Sequence, residues 1–144
     1  MRILIIKPGS TSTKLAVYED GKPVWQSGAH HPSHELVDFH SATEQYEYRM
    51  EFVRKRLADA NVDIHFDAII ARGGLTKPLE GGVYKVNEQM KYDLRHAQMD
   101  HACNLGGLIA SELAAECGRE AYMADPAVID ELADEARYTG IPEI

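Results

Sequence analysis

The sequence predicts an α/β domain in which helices pack against a mixed sheet. Two observations lead to this prediction. The chain opens with three strand-like segments joined by tight turns, and from Ser41 onward helical periods alternate with further short strands. The resulting order, β-β-β-α-β-α-α-β-α, gives five strands, of which the first three run antiparallel. We expect the 144 residues to form one domain, residues 1–144.

The three opening strands are marked by apolar runs and turn residues. Residues 3–6 are continuously apolar, a pattern typical of a strand buried on both faces. That run ends in a polar cluster at residues 8–13, and residues 15–18 follow as a second strand. Asp20-Gly21 is a strong signal for a two-residue hairpin, so residues 23–27 form the third strand.

The first helix and the fourth strand come next. Apolar side chains recur at helical spacing at Tyr46, Met50, Val53 and Leu57. Ser41 and Glu44 fit a capping box ahead of them. Residues 66–71 are again a buried strand, which ends at an Arg-Gly-Gly sequence.

The remaining elements are shorter. Residues 83–86 suggest a loop or short hairpin, and Asn87 fits the N-cap of a helix that ends near His96. An apolar stripe predicts a helix over residues 102–117, and residues 120–124 predict a short strand. Asp125-Pro126 is expected to begin a last helix, with proline in its first turn.

Composition excludes several classes of function. The formal net charge of −8 argues against binding nucleic acid or membrane surfaces, because both are anionic. No apolar stretch approaches the roughly 20 residues of a membrane-spanning helix. Cys103 and Cys117 lack CxxC spacing, which argues against a disulfide framework or a zinc ribbon. We therefore expect a cytoplasmic protein.

One turn has the composition of an anion site. Residues 7–14 read Lys-Pro-Gly-Ser-Thr-Ser-Thr-Lys between two strands, where backbone N–H groups can form a nest. Gly9 permits close approach, and Lys14, with Lys7, supplies positive charge. Hydroxyl donors come from Ser10, Thr11, Ser12 and Thr13. The spacing is not that of a Walker A loop, and the residues alone leave open an ordinary polar turn.

Further motifs follow this turn in a characteristic order. They are Ala71-Arg72-Gly73-Gly74, the Gly-Gly-Val-Tyr-Lys-Val-Asn of residues 81–87, the His-Ala-Cys-Asn-Leu-Gly of residues 101–106, the Ala-Asp-Pro-Ala-Val-Ile-Asp-Glu of residues 124–131, and the Gly-Ile-Pro-Glu-Ile of residues 140–144. Together with the turn, they resemble butyrate kinases and branched-chain fatty acid kinases. These enzymes belong to the acetate kinase branch of the sugar kinase, heat-shock ATPase and actin superfamily. The resemblance implies a ribonuclease H-like (actin-like ATPase) fold.

The resemblance also implies a reaction. It is ATP- and Mg²⁺-dependent, reversible phosphoryl transfer to a short-chain carboxylate such as butyrate, which gives an acyl phosphate. Residues Gly9, Ser10, Thr11, Ser12, Thr13 and Lys14 are then expected to bind the phosphates of ATP. Ser10 and Asp125 are expected to hold Mg²⁺ through water. A homo-oligomer is also implied.

Catalytic roles are carried over in the same way. Arg72, at a strand end before two glycines, is expected to reach a carboxylate or phosphoryl group, although a plain surface arginine fits the pattern as well. His101 is expected to stabilise the transferring phosphoryl group. Asp125 is expected to orient substrate or metal, an N-cap being its alternative role. Asn104, Gly73 and Gly74 are the predicted substrate-binding residues. Cys103 is expected only to pack.

Two departures from the family pattern affect function. Lys7 stands where the family has asparagine, and we expect it to bind phosphate but to repel Mg²⁺ and weaken catalysis. The family also has a second, nucleotide-binding domain that these residues do not supply, so we expect a truncated amino-terminal domain without turnover of its own. The alternative is a non-catalytic module that binds phosphate or self-associates.

Overall fold

A computed structural model describes residues 1–138 and 140. The strands are β1 (Arg2–Gly9), β2 (Ser12–Glu19), β3 (Lys22–His30), β4 (Ala68–Arg72), β5 (Val83–Lys85) and β6 (Glu120–Ala124). The α-helices are α1 (Ser33–Leu36), α2 (Tyr46–Asp59), α3 (Glu88–Arg95) and α4 (Leu105–Glu116). Short 3₁₀ segments cover Thr43–Gln45, Ala102–Asn104 and Asp134–Arg137.

The six strands form one mixed sheet in the order β3-β2-β1-β4-β6-β5. β1 pairs with β2, and β2 with β3, in antiparallel fashion, as the turn signals predicted. β1, β4 and β6 are parallel to one another, and β5 pairs antiparallel with β6 at the edge. β5 makes the sheet six-stranded where five strands were predicted.

The β2–β3 hairpin confirms the Asp20-Gly21 signal. Asp20 has φ 47° and Gly21 has φ 80°, as a two-residue turn between right-twisted strands requires. A second local prediction is confirmed at α3, where the side chain of Asn87 accepts a hydrogen bond from Met90 N.

All the long helices contribute to a core on one face of the sheet. Leu4 and Ile6 of β1 and Ile69 of β4 are 0% exposed, and they belong to one apolar cluster with residues of α2 and α4. α4 contacts β1, β4 and β6. Arg54 of α2 bonds to Glu112 and Glu116 of α4, which ties the two helices together at the surface.

The other face of the sheet is less covered. Ile3 and Ile5, which alternate with the buried residues of β1, are only half-buried, and Ile70 of β4 is in the same condition. The prediction that residues 3–6 are buried on both faces is therefore wrong for the described chain. Among the described residues, the helices pack against one face of the sheet only. The apolar run of residues 3–6 does not by itself indicate which face the helices cover.

The structure differs from the sequence analysis at three further points. No helix begins at Asp125-Pro126, because Asp125 has φ 43° and Ala127 N donates to Gly74 O at 3.0 Å, which holds this segment against a neighbouring loop. The capping box is half formed: Glu44 N donates to Ser41 Oγ, but the Glu44 carboxylate accepts from His40 N. The short helix α1 was not predicted.

Residues 141–144 of the last motif lie outside the described residues. In the described part of the chain, none of the helices has the length and apolar character needed to cross a membrane.

Candidate functional site

The predicted site residues converge on one edge of the sheet. Because β1, β4 and β6 are parallel, their carboxyl ends lie at the same edge. β1 ends at Gly9 and leads into the Ser10-Thr11 turn, β4 ends at Arg72, and Asp125 directly follows β6. The topology therefore gathers residues that are far apart in sequence.

His101 joins this edge from the helical side. Its Nδ1 accepts a hydrogen bond from Cys103 N at 3.1 Å, so the neutral ring carries its proton on Nε2. Nε2 lies 3.2 Å from Ser10 Oγ, in position to donate to it. The approach is close because Gly106 packs on β1 and β4: a Cβ there would lie 3.2 Å from Ala71 Cβ and 3.3 Å from Pro8 Cδ.

A row of three cations crosses the less covered face near the same edge. Lys7 of β1 lies directly opposite Lys14 of β2. Arg72 is the next residue after the Ile6–Ala71 pair of the β1–β4 ladder, which sets it beside Lys7. All three are exposed, and within residues 1–138 and 140 none of them takes part in a salt bridge.

This row is unusual for a chain of net charge −8. Like charges directly opposite each other on neighbouring strands repel and destabilise the pairing. Strands in a sheet are about 4.8 Å apart, so the three cations are close enough to share one polyphosphate. We call residues Lys7, Lys14 and Arg72 the basic row.

The β1–β2 turn leaves room for a ligand at Gly9. Its φ is not in the left-handed region, and an added Cβ would meet nothing nearer than Ser12 Oγ at 3.4 Å. The fold itself therefore does not demand glycine here. Close approach of a ligand is a separate reason for glycine at this position.

Thr13 behaves differently from the other hydroxyl residues of the turn. Its side chain is 0% exposed and faces the core side of the sheet. Its Oγ1 accepts from Arg49 Nη1 at 3.1 Å and lies 2.8 Å from His31 Nε2. Thr13 was predicted to bind phosphate, but this placement gives its hydroxyl a structural role and keeps it from a ligand outside the turn.

His31 continues a chain of hydrogen bonds that runs from the core to the surface and that sequence reasoning missed. Tyr48 donates its hydroxyl proton to Glu35, so its Oη accepts from His31 Nδ1–H at 3.0 Å. Nε2 of the neutral ring then has no proton and accepts from Thr13 Oγ1. Burial, aided by the nearby Arg49 charge, lowers the pKa of His31 to about 4. The ring is therefore neutral at pH 7.

The two glycines after Arg72 have structural reasons for their identity. Gly73 has φ 94° and Gly74 has φ 117°, conformations that favour glycine. A Cβ on Gly74 would lie 2.8 Å from Leu94 Cδ2. Their predicted contact with substrate stays a prediction, since the turn alone accounts for both.

Asn104 is held by the backbone of neighbouring loops. It is 3% exposed, its Oδ1 accepts from Leu75 N at 2.9 Å, and its amide donates to Met99 O at 3.1 Å. This geometry fits a residue that positions the Gly74-Leu75 turn. It does not favour the predicted direct role in substrate binding.

Asp125 is exposed at the carboxyl edge, where the prediction required it. Its Oδ1 accepts from Gly82 N at 3.2 Å, and its own N donates to Gly82 O at 3.0 Å. Asp125 is therefore not a helix N-cap. One carboxylate oxygen is engaged with the Gly82 backbone, and the second is available for a ligand.

Cys103 packs as expected. Burial raises the pKa of its thiol, which disfavours the nucleophilic thiolate. No group of three or more His, Cys, Asp or Glu side chains gathers as a metal site in the described residues. A dedicated protein cage for a cation is therefore absent from that part of the chain.

Comparison with known sequences supports the resemblance drawn from the motifs. A probable butyrate kinase of Phocaeicola vulgatus is 60% identical over 144 residues, which is 100% of this chain and 41% of that protein. Butyrate kinase 2 of Clostridium acetobutylicum is 48% identical over 145 residues, or 99% of this chain and 41% of that protein. The predicted similarity to butyrate kinases is thus confirmed along the whole chain. No protein-family profile matches the chain.

Solved structures confirm the fold class. Acetate kinase from Porphyromonas gingivalis superposes with a TM-score of 0.57 at 16% identity, covering 98% of this chain and 41% of that one. Acetate kinase from Entamoeba histolytica gives a TM-score of 0.56 at 15% identity, covering 99% of this chain and 39% of that one. The α/β, ribonuclease H-like fold is therefore confirmed. The chain spans about two-fifths of the length of the curated relatives it matches.

Proposed function

We propose that this chain is the amino-terminal, phosphate-binding domain of a kinase that transfers phosphate from ATP to a short-chain carboxylate such as butyrate. The contact between Ser10 Oγ and His101 Nε2, at 3.2 Å, carries the proposal, because it unites the predicted phosphate turn with the predicted catalytic histidine. The names of relatives up to 60% identical support the substrate class.

The reaction needs charge neutralisation and alignment more than covalent chemistry from the protein. A carboxylate oxygen attacks the γ-phosphorus, the bond to the ADP oxygen breaks, and an acyl phosphate and ADP result. The turn amides and the Ser10 hydroxyl hold phosphate oxygens, and Lys14 offsets their charge. His101 Nε2–H is placed to donate to the transferring group once substrate displaces Ser10 from it.

Arg72 and Asp125 complete the arrangement. Arg72 carries five donors in a planar fork and is exposed at the edge, so it suits the carboxylate of the acceptor or the phosphoryl oxygens. Mg²⁺ needs only one or two protein oxygens when phosphates supply the rest, so Asp125 and Ser10 are sufficient candidates to hold it through water. The cation would neutralise charge on the transferring phosphate.

We further propose that the 144-residue chain does not turn over by itself. It matches 41% of the length of the Phocaeicola vulgatus relative, and the remaining part is where the nucleotide is expected to gain its other contacts. A half-site cannot enclose both substrates or exclude water. The purified chain is therefore expected to bind phosphate compounds without forming acyl phosphate.

A chimera tests the proposal. This chain replaces the matching segment of the Phocaeicola vulgatus relative, with Lys7 retained or changed as Lys7→Asn, and butyryl phosphate is trapped as the hydroxamate. We expect turnover in the Lys7→Asn form, less in the Lys7 form, and a loss of roughly 100-fold or more with His101→Ala. A folded chimera inactive in both forms, or one indifferent to His101→Ala, would contradict the proposal.

A further inference from the structure

A buried arginine lies directly beneath the β1–β2 turn. Arg49 of α2 is 0% exposed, and it is the largest of the fully buried side chains in the described residues. Its Nη2 donates to Ser10 O at 2.9 Å, and its Nη1 donates to Ser12 O at 3.1 Å. The guanidinium therefore grips the backbone of the turn from the core side.

All five donors of this guanidinium are used. Besides the two carbonyls, Nη1 donates to Thr13 Oγ1 at 3.1 Å. Nε and Nη2 both donate to Gln45 Oε1, at 2.9 and 2.8 Å. Five N–H groups are the complete set that an arginine has, so the hydrogen bonding is satisfied.

The positive charge of Arg49, in contrast, has no counterion among the described residues. Every acceptor around it is neutral, and among residues 1–138 and 140 no carboxylate forms a salt bridge with it. A buried charge without a counterion is costly, and its field extends further than in water because the surroundings are less polarisable. An anion on the outer side of the turn would be a suitable counterion.

The hydrogen bond from Arg49 to Ser10 O also sets the direction of a backbone donor, the Thr11 N–H. No cis peptide occurs in the described chain, and in a trans peptide the C=O and the following N–H point in opposite directions. Because Ser10 O points at Arg49, the Thr11 N–H points away from it, toward the outside of the turn. The arginine thus orients a backbone donor as anion binding requires.

We propose that Arg49 is the positioning residue of the phosphate turn: it fixes the turn through the Ser10 and Ser12 carbonyls and supplies an unpaired positive charge that attracts an anion from below. This inference rests on the proposed function, since it assumes that the anion binds at this turn. It adds a fourth cation, on the opposite side of the sheet from the basic row.

Gln45→Glu separates the charge of Arg49 from its geometry. The new carboxylate keeps the acceptor for both Arg49 bonds but neutralises the guanidinium. It also lies at the amino end of α2, where a negative charge is favourable. We expect the affinity for inorganic pyrophosphate to fall about tenfold, while the thermal midpoint stays equal or rises. If Arg49 had only a structural role, the affinity for pyrophosphate would stay unchanged.

Two further variants complete the experiment, which uses calorimetric titration of the 144-residue chain with pyrophosphate. Asn61→Asp makes the same amide-to-carboxylate change beyond the far end of α2 and is expected to leave affinity unchanged. Arg49→Gln removes the charge and some of the hydrogen bonds to the turn, so it should lower both the affinity for pyrophosphate and the thermal midpoint. If it does not fold, Gln45→Glu still decides the question.

The outcomes distinguish this inference from the proposed function. If the unaltered chain binds no pyrophosphate, or binds it without dependence on Ser10 and Lys14, both are overturned. If it binds at the turn and Gln45→Glu binds equally well, only the role of Arg49 is overturned. A loss in Gln45→Glu and Arg49→Gln, but not in Asn61→Asp, supports it.

Discussion

The two faces of the sheet differ in almost every respect, although they belong to the same strands. Ile6 on the helical face is 0% exposed, whereas its neighbour Ile5 on the other face is half-buried. The helical face holds the apolar core. The other carries Lys7, Lys14 and Arg72 in a row without acidic partners among the described residues. Along one strand, alternate residues thus contribute either to the apolar core, which stabilises the fold, or to the charged face.

The β1–β2 turn is where the two faces meet. Thr13 and Arg49 hold it from the helical side, and the lysines flank it on the other. A substitution in β1 or β2 should therefore affect folding if its side chain lies on the helical face, and anion binding if it lies on the other face. The following predictions test that separation.

The largest difference in stability is expected between Ile6→Ala and Ile5→Ala. Ile6→Ala should lower the free energy of unfolding by about 2–5 kcal/mol, because it leaves a cavity in the packed core. Ile5→Ala removes the same atoms from a half-buried position and should cost clearly less. Urea unfolding monitored by circular dichroism measures both. Equal losses would show that the two faces are equally important for stability.

The second prediction concerns acid stability and His31. Its pKa in the folded chain is lowered to about 4, so the unfolded chain, with a pKa near 6.5, binds the proton more readily. The contribution of neutral His31 is therefore complete above pH 6.5 and is lost as the pH falls toward 4. The loss is at most about 3 kcal/mol.

His31→Gln should flatten that acid limb, measured as unfolding free energy against pH from 7 to 4. His30→Gln, at the exposed neighbouring residue, is the matched control and should leave the limb nearly unchanged, because His30 contributes least to the lowered pKa of His31. Arg49 and His30 oppose protonation of His31, and Glu35 favours it, so burial decides the direction. An unaltered limb in His31→Gln would contradict this assignment.

The third prediction concerns the charged face of the sheet. Arg72→Ala should weaken pyrophosphate binding about tenfold, close to 1.4 kcal/mol, with little change in unfolding free energy. Arg119→Ala, at an exposed position just before β6 and away from the carboxyl edge, is the control and should change neither. Titration calorimetry gives the affinities. If the two variants bind alike, the basic row is not the anion site.

The smallest effect is expected for Lys7→Asn. Removing one of two opposed lysines should raise the unfolding free energy by roughly 0.2–1 kcal/mol, because their repulsion ends. Pyrophosphate affinity should fall several-fold in the same variant. A loss of stability together with tighter binding would contradict the role assigned to the Lys7–Lys14 pair.

Much of the fold was predictable because it depends on local signals. Asp20-Gly21 specified a hairpin through its turn geometry, and Asn87 specified a helix start through its side-chain acceptor. The helix expected after Asp125 failed because contacts from Gly74 and Gly82 override the local signal. Those contacts join segments more than 40 residues apart, which no local pattern reveals.

The candidate site was predictable as a list of residues but not as an arrangement. The motifs predicted Ser10, Arg72, His101 and Asp125 as site residues. Parallel topology brings the first, second and fourth to one edge, and the third joins it from the helical side. Arg49 was missed because a single arginine within a helical stripe looks like a solvated residue. A glutamine four residues before it, with no acid at that spacing, was the only available hint.

Amide NMR during a pyrophosphate titration is the most direct test of anion binding at the β1–β2 turn. We predict saturable shifts concentrated at residues 7–14, Arg72 and His101, with the amino ends of β4 and β6 unaffected. Shifts confined to a different surface groove, the one lined by Leu75, Tyr92 and Met99, would contradict anion binding at the turn, as would the absence of any saturable shift.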